Sequence, residues 1–335
     1  MRQQYDLGVF IGRFQPFHLG HVSVINAALE HSKHVVVLVG SADEARSAYN
    51  PFTFQERKKM ILNHFPINVL VLQIYDYPYN NTKWIAGVQD AVHEAIDFFN
   101  INNANIGLFG HSKDHTSYYL KMFPQWGSME VPNYNDVSAT PIREDFFAQK
   151  KIENIPQSTI DFLDEFYNSS IYKNLTDEFK YYREYRKQFE NLKYPPIFTT
   201  VDAVVIQSGH VLMIERRSRP GKGLWALPGG FLNANEKIED ARIRELIEET
   251  KINVPELVLR GSIVCEKIFD NPHRSSRGRV ITHAAMFKLK ENTKFPKVKG
   301  ADDAKRAKWI ALSDIRRDQC FEDHAAIIET FMDYT

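Results

Sequence analysis

Cysteine is scarce in this 335-residue sequence: only Cys265 and Cys320 occur, too few for a disulfide framework or a thiolate metal cluster, which fits a reducing compartment. Long hydrophobic runs are missing as well. The longest, such as Val35 to Val39 and Val69 to Leu72, fall far short of the roughly 20 residues that span a bilayer, and Met1 to Phe14 lacks a signal-peptide core. A cytoplasmic chain with no membrane contact is expected. Net charge is absent too, since 42 Lys and Arg balance 42 Asp and Glu. The balance is also local, with 18 basic against 22 acidic residues before Asn191 and 24 against 20 from there on. Neither half carries a field on the scale of a nucleic-acid binder. No Gly-x-x-x-x-Gly-Lys-Ser/Thr phosphate loop occurs, which weighs against a kinase, and no internal repeat or low-complexity tract is visible.

What is present is the usage of an ordinary globular protein, 43% hydrophobic and 25% charged, at a length that predicts two domains of roughly 150 residues each. From Tyr5 to about Lys150, short β-rich runs ending at Ile11, Val39, Ile74 and Phe109 alternate with helical periodicity. That pattern predicts βαβ units around a parallel sheet. Trp84, Ile85, Val88, Ala91, Val92, Ala95, Ile96 and Phe99 trace a helical stripe. Thr53 with Glu56 forms a capping box, and Thr140 before Pro141 reads as an N-cap with proline at the first helical position. A helical, aromatic-rich stretch from Gln157 to Asn191 leads to Tyr194-Pro195-Pro196, where proline forces extended backbone. The expected division is 1–190, a linker at 191–196, and 197–335. After it, Phe198 to Ile206 and Val211 to Arg216 read as strands joined at Ser208-Gly209, followed by a loop, a strongly charged helix and more strands.

Two constellations carry chemistry. Gly12-Arg13-Phe14-Gln15-Pro16-Phe17-His18-Leu19-Gly20-His21 leaves the first strand and enters a helix with apolar positions Val22, Ile25 and Leu29. The histidines then stand around a helix N-terminus, whose amides and dipole attract anions, and their rings can donate to phosphate oxygens. The string resembles the paired-histidine signature of nucleotidyltransferases, in the form found in nicotinamide mononucleotide adenylyltransferases. Ser138, Thr140 and Arg143 match that family's Ser-x-Thr-x-x-Arg motif, which holds ATP phosphates. Only a parallel α/β sheet brings motifs about 120 residues apart to one strand edge. Asn50 to Thr53, Glu56-Arg57, and Asn80, Asn81 and Trp84 also resemble the family's substrate segments. Trp84 could stack on the nicotinamide ring or simply pack on its helical stripe. The resemblance implies a doubly wound, Rossmann-like domain with His18, His21 and Arg143 catalytic. Gly12, Arg13, Phe14, Asn80, Asn81, Trp84, Ser138 and Thr140 would bind substrate, with ATP and Mg²⁺ required. Another acceptor such as phosphopantetheine stays open, though Trp84, Asn80 and Asn81 favour the mononucleotide.

The second constellation starts at Gly229-Gly230 and Glu236 and runs through Arg244-Glu245-Leu246-Ile247-Glu248-Glu249-Thr250-Lys251-Ile252. Glu245, Glu248 and Glu249 are spaced to share one helix face, where they repel unless a divalent cation compensates, and Arg244 can brace them from the side. The segment resembles the Nudix box at every fixed position but one, Lys251 standing where that family has glycine. If that position needs positive φ, lysine costs on the order of 1 kcal/mol. The resemblance implies an α/β/α domain with a mixed sheet, binding Mg²⁺ or Mn²⁺ through Glu245, Glu248 and Glu249. Glu245 and Glu248 would be catalytic. Arg219 to Phe231 and Phe269 to Arg279 are similar to the ADP-ribose-handling branch, where Trp225 or Phe269 could stack a base and Arg279 meet the pyrophosphate; equally, they could be core and loop charge.

Together the resemblances imply a fused enzyme of NAD metabolism that adenylylates nicotinamide mononucleotide and hydrolyses ADP-ribose to AMP and ribose 5-phosphate. Its partners would be small-molecule nucleotides, with no nucleic acid and self-association left open. Two alternatives remain: a Nudix half that senses a ligand without cleaving it, which the intact carboxylates oppose, or one that cleaves another nucleoside diphosphate derivative such as NADH.

Overall fold

The computed structural model describes residues 4–111 and 121–333, and the chain divides into two compact units, Met1–Asp177 and Glu178–Thr335. The first runs β1 (Tyr5–Gly12), α1 (Leu19–His31), β2 (Ser32–Val39), α2 (Phe54–His64), β3 (Val69–Gln73), α3 (Asn81–Phe98), β4 (Ile106–Gly110), β5 (Gly127–Glu130), α4 (Ala139–Phe147) and α5 (Gln157–Tyr167). Helix α6 (Ser170–Lys187) passes through the division. All strand pairs of the first unit are parallel, in the order β3-β2-β1-β4-β5. Every residue from Val35 to Val39 is fully buried, as expected of an inner parallel strand covered on both faces. On one face, Leu7, Val9, Ile11, Val36 and Leu38 meet Val88, Ala91, Val92 and Ala95 of α3. Helix α1 packs on β1 and β2.

Two local expectations need revision. The strand β5 was not expected, because four half-exposed residues carry no hydrophobic run; it forms by pairing with β4 from Gly107↔Gly127 to Gly110↔Glu130. Helix α4 begins two residues early, with Ser138 rather than Thr140 as its N-cap. Proline is tolerated inside that first turn, where its absent N–H has no intrahelical partner to lose. Thr140 is thereby released from capping, and its Oγ1 accepts from Arg143 Nη2 at 3.2 Å.

The second unit continues with β6 (Ile197–Gln207), β7 (His210–Arg216), β8 (Trp225–Ala226), β9 (Gly229–Phe231), α7 (Ile238–Thr250), α8 (Glu256–Gly261), β10 (Ile263–Phe269), β11 (Arg279–Lys288), β12 (Ala304–Ala311) and α9 (His324–Met332). Its sheet is mixed, in the order β10-β11-β6-β7-β12, with β8 on β7 and β9 on β6. Among the described strands of this unit the β11–β6 pair is parallel and the others are antiparallel. The β6–β7 hairpin turns at Ser208 (φ 45°) and Gly209 (φ 69°), two successive left-handed residues whose twist matches the strands. One sheet face carries Ala203, Val205, Leu212, Ala285 and Phe287 against Ile243 and Leu246 of α7. The alternate residues Asp202, Val204, Ala284 and Met286 are buried too, so both faces are covered. The C-terminal part of α6 belongs to this unit: Tyr185 and Phe189 stack around Phe198 at 6.1 and 5.2 Å, and Arg186 donates to the Ser276 carbonyl. Tyr194–Pro196 therefore lies inside the second compact unit.

The Tyr5 ring crosses two glycines, and a Cβ at Gly107 would stand 2.5 Å from it. Gly107→Val should therefore cost about 1 to 3 kcal/mol, read as a lower denaturant midpoint for the first unit; an unchanged midpoint would refute that packing. In the second unit, buried His324 accepts from the Leu227 amide at 2.9 Å and anchors the chain just before Gly229-Gly230. Burial lowers its pKa from 6.5 to about 3. The unfolded chain then binds a proton below pH 6.5 that the folded chain refuses, so stability present above that pH falls as pH drops towards 3, by up to about 1.4 kcal/mol per unit. Urea midpoints of the parent chain should fall more steeply between about pH 6.5 and 4 than those of His324→Asn; parallel slopes would contradict this.

Candidate active sites

In the first unit the strand order reverses between β2-β1 and β1-β4, the place where open α/β sheets bind ligands beyond the carboxyl ends of their strands. A cavity of about 270 Å³ opens there, lined by Gly12, Arg13, Phe14, His18, His21, Ser138, Thr140 and Arg143 from both motifs. The sheet thus brings together residues far apart in sequence.

His18 is the N-cap of α1 and His21 its third residue. The His18 amide donates to His21 Nδ1 at 3.2 Å. A neutral His21 ring therefore carries its proton on Nε2, as a donor. The two imidazoles stack with centroids 3.6 Å apart, and His21 lies 4.5 Å from the buried Phe14 ring. Phe14 has left-handed backbone (φ 52°), and its ring closes over Gly12, where a Cβ would meet it at 3.0 Å. Across the cavity, Ser138 caps α4 in extended conformation without using its side chain, which leaves the first-turn amides of α4 available to an anion.

The guanidiniums are fixed by backbone carbonyls. Arg143 Nη1 donates to Gln15 O at 2.7 Å. Arg57 is fully buried and donates to the carbonyls of Arg13, Gly40 and Ser41 at 2.7 to 2.9 Å. Burial, then the charge of Arg13, lowers the pKa of both Arg57 and Arg143 to about 10. Arg13 Nε is buried without a hydrogen-bond partner. Such a desolvated cationic cluster with an orphaned donor fits polyphosphate. His111, just past β4, lines the same cavity. Its Nδ1 lies 2.7 Å from the Val131 carbonyl, so that in a neutral ring Nδ1 carries the proton and Nε2 can accept. His111 and Tyr49 were missed in the sequence, although a histidine directly after a strand at the reversal point was a usable signal.

Asn80, Asn81 and Trp84 do not line this cavity. Asn80 spends its side-chain oxygen capping α3, accepting from the Lys83 amide at 3.0 Å, and Asn81 is exposed. Trp84 packs half-buried against the α3 core, 6.1 Å from Phe123.

In the second unit, α7 presents the three carboxylates as expected. Arg244 binds Glu236 at 2.6 and 3.0 Å, Glu245 at 2.8 Å and Glu248 at 3.1 Å, and it draws Glu236 down to about 2. Glu249 is buried and accepts from the Gly229 amide at 2.9 Å. Burial pushes its carboxyl up to about 8, with Glu245 and Asp303 adding repulsion that Arg216 partly offsets. Glu245 is likewise raised, first by burial and then by the charges of Glu248 and Asp302. The glycines are required here: a Cβ on Gly230 would stand 2.4 Å from Glu245 Oε1, and one on Gly229 2.2 Å from Val201 O. Lys251 ends α7 in left-handed conformation (φ 45°), the strained geometry at which the Nudix box places glycine.

Among the described residues no three His, Cys, Asp or Glu side chains are gathered as a ready metal cage; Arg244 bonds to oxygens of Glu245 and Glu248, and the Gly229 amide to one of Glu249. The donor set nonetheless fits a hard divalent cation: the carboxylates of Glu245 and Glu249 are desolvated, that of Glu249 is raised further by the charge of Glu245 and that of Glu245 by Glu248 and Asp302, and a divalent cation would offset that repulsion. Asp302 and Asp303 are brought near by backbone bonds from Lys299 and Ala301 to the carbonyls of Thr250 and Glu249. Nothing in the sequence spacing marked them.

The three residues expected to bind the hydrolase substrate are scattered. Phe269 is fully buried against Phe331 at 5.6 Å, a core residue with no face left for a base. Arg279 donates to the Asp270 carbonyl at 2.6 Å. Trp225 lies under Arg306 and lines a different cavity of about 300 Å³ with Met213, Lys308 and Gln319. Closer to Glu249 in charge is Arg216, stacked 4.2 Å over Phe321.

The family model Cytidylyltransferase-like matches residues 9–145, and NUDIX domain matches residues 196–331. The nicotinamide/nicotinic acid mononucleotide adenylyltransferase of Acinetobacter baylyi is 41% identical over 183 residues, 53% of this chain and 95% of that protein. The ADP-ribose pyrophosphatase of Methanocaldococcus jannaschii is 32% identical over 132 residues, 39% of this chain and 71% of that protein. A crystal structure of a bifunctional NMN adenylyltransferase/ADP ribose pyrophosphatase from Francisella tularensis, complexed with AMP and Mn ion, superposes with a TM-score of 0.92. It is 38% identical and covers 98% of this chain and 99% of that one. A second structure of the Francisella protein is 40% identical with a TM-score of 0.91. With two paired sites of this architecture and full-length likeness of this degree, the chain belongs to the family of bifunctional NMN adenylyltransferase/ADP ribose pyrophosphatases.

Proposed function

We propose that the chain makes NAD from nicotinamide mononucleotide and ATP in one unit and cleaves ADP-ribose in the other. The observation that carries the reading is the meeting of both phosphate-binding motifs in one cavity at the sheet's reversal point, with three box carboxylates intact in the second unit. Domains 1–190 and 197–335, joined by 191–196, would carry the two activities.

In adenylyl transfer, a phosphate oxygen of the mononucleotide attacks the α-phosphorus of MgATP. The bond to the β-phosphate bridging oxygen breaks, and pyrophosphate leaves. No protein group need become covalently attached. His21 Nε2–H, His18, Arg13 and Arg143 would bind the triphosphate and stabilise the negative charge that grows on the leaving group, while Gly12, Ser138 and Thr140 let phosphates approach the two helix starts. Asn80, Asn81 and Trp84 would bear on the mononucleotide at the start of α3.

In hydrolysis, water adds to one phosphorus of ADP-ribose and the diphosphate bridge breaks, giving AMP and ribose 5-phosphate. Glu245 and Glu249 would hold Mg²⁺ or Mn²⁺ with Glu248 assisting. The bound cation would polarise the phosphorus and acidify the attacking water. Arg244 would keep the carboxylates aligned between turnovers. Trp225 would stack on the base and Arg279 would meet the diphosphate. Nucleotides are then the partners, in the cytoplasm; among the described residues no helix is long and apolar enough to cross a membrane.

His21→Ala should lower NAD formation by at least about a hundredfold and leave ADP-ribose hydrolysis intact, while Glu249→Gln should do the reverse. Loss of both activities in either variant, with unchanged unfolding midpoints, would refute independent sites.

A further inference from the structure

The first cavity holds an aromatic residue that neither motif names. Tyr49, between β2 and α2, lines the cavity and is 40% exposed. The guanidinium carbon of Arg13 stands 3.8 Å from its ring centroid, and that of Arg143 stands 5.1 Å away. Two like charges brought this close repel, and the negative face of an aromatic ring attracts both. Stacking uses the face of a guanidinium and leaves the N–H groups, which lie in its plane, for other partners.

Those partners are accounted for at the far ends. Arg13 Nη2 donates to the Tyr49 carbonyl at 3.2 Å and to Asn50 Oδ1. Arg143 donates to Gln15 O at 2.7 Å and to Thr140 Oγ1 at 3.2 Å. The buried Nε of Arg13 is left without a hydrogen bond. The segment carrying Tyr49 is itself pinned, because Arg46 donates to the Pro51 carbonyl at 2.7 Å and pairs with both oxygens of Glu56 at 2.7 and 2.8 Å.

We infer that Tyr49 is a positioning residue for the ATP polyphosphate, its ring holding Arg13 and Arg143 together so that the Arg13 Nε edge meets a phosphate oxygen. The inference rests on the adenylyl-transfer reading above and deepens it. Tyr49 acts through the two arginines and touches no reacting atom.

The test is steady-state kinetics of the full chain and its Tyr49→Leu and Tyr49→Phe variants. MgATP is varied at saturating mononucleotide, and inorganic pyrophosphate serves as inhibitor. Tyr49→Leu should raise the KM for ATP and the inhibition constant for pyrophosphate about fivefold, the scale of one cation–π contact, with kcat and the KM for the mononucleotide little changed. Tyr49→Phe, which keeps the ring, should restore the parent values. ADP-ribose hydrolysis and the unfolding midpoint report that each variant is folded. Parent values in Tyr49→Leu would overturn the inference, as would equal losses in both variants. A parent chain that forms no NAD would instead overturn the adenylyl-transfer reading itself.

Discussion

Each active site gathers an excess of charge of one sign that its own side chains do not fully neutralise. Desolvated ions are costly unless opposite charge completes them. In the first unit the excess is cationic, with Arg13, Arg57 and Arg143 crowded beside two helix N-termini. In the second it is anionic, with Glu245 and Glu249 raised by burial first, then by the charges of neighbouring carboxylates. The two reactions follow from this opposition. A site of fixed positive charge suits a polyphosphate whose leaving group gains negative charge, and a site of fixed negative charge suits a divalent cation that activates water.

The folds supply these charges in different ways. The parallel sheet aims strand ends and helix starts at one point, so Gly12 and Ser138 arrive together although Val137 and Ile11 are separated by most of the unit. The mixed sheet instead lays β9 along β6, from Thr200↔Phe231 to Asp202↔Gly229, and presses Gly229-Gly230 under the carboxylates of α7. Glycine is the one residue that fits there. Stability is given up for both arrangements, in the left-handed Phe14 of one unit and the left-handed Lys251 of the other.

Much of this was legible in the sequence because it rests on local spacing. The strand ends, the Thr53 capping box, the Ser208-Gly209 hairpin, the i, i+3, i+4 carboxylates and the two motifs all depend on neighbours within a few turns. The remainder depends on what the chain meets in space. Thr140 gave up its cap to Arg143, and Asn80 took one. Phe269 reads like a stacking residue until Phe331 covers it. Asp302 and Asp303 reach the carboxylates only because the turn before β12 bonds to the end of α7. Tyr49 has no motif at all, and its place beside two arginines emerges only when β1, α4 and the segment before α2 converge.

The most direct measurement is product analysis of the parent chain with a divalent cation, supplied in separate reactions with nicotinamide mononucleotide plus ATP and with ADP-ribose. NAD with pyrophosphate from the first, and AMP with ribose 5-phosphate from the second, are the predicted products. NAD formation without any cleavage of ADP-ribose would contradict the account, and would leave the buried carboxylates as a binding site rather than a hydrolytic one.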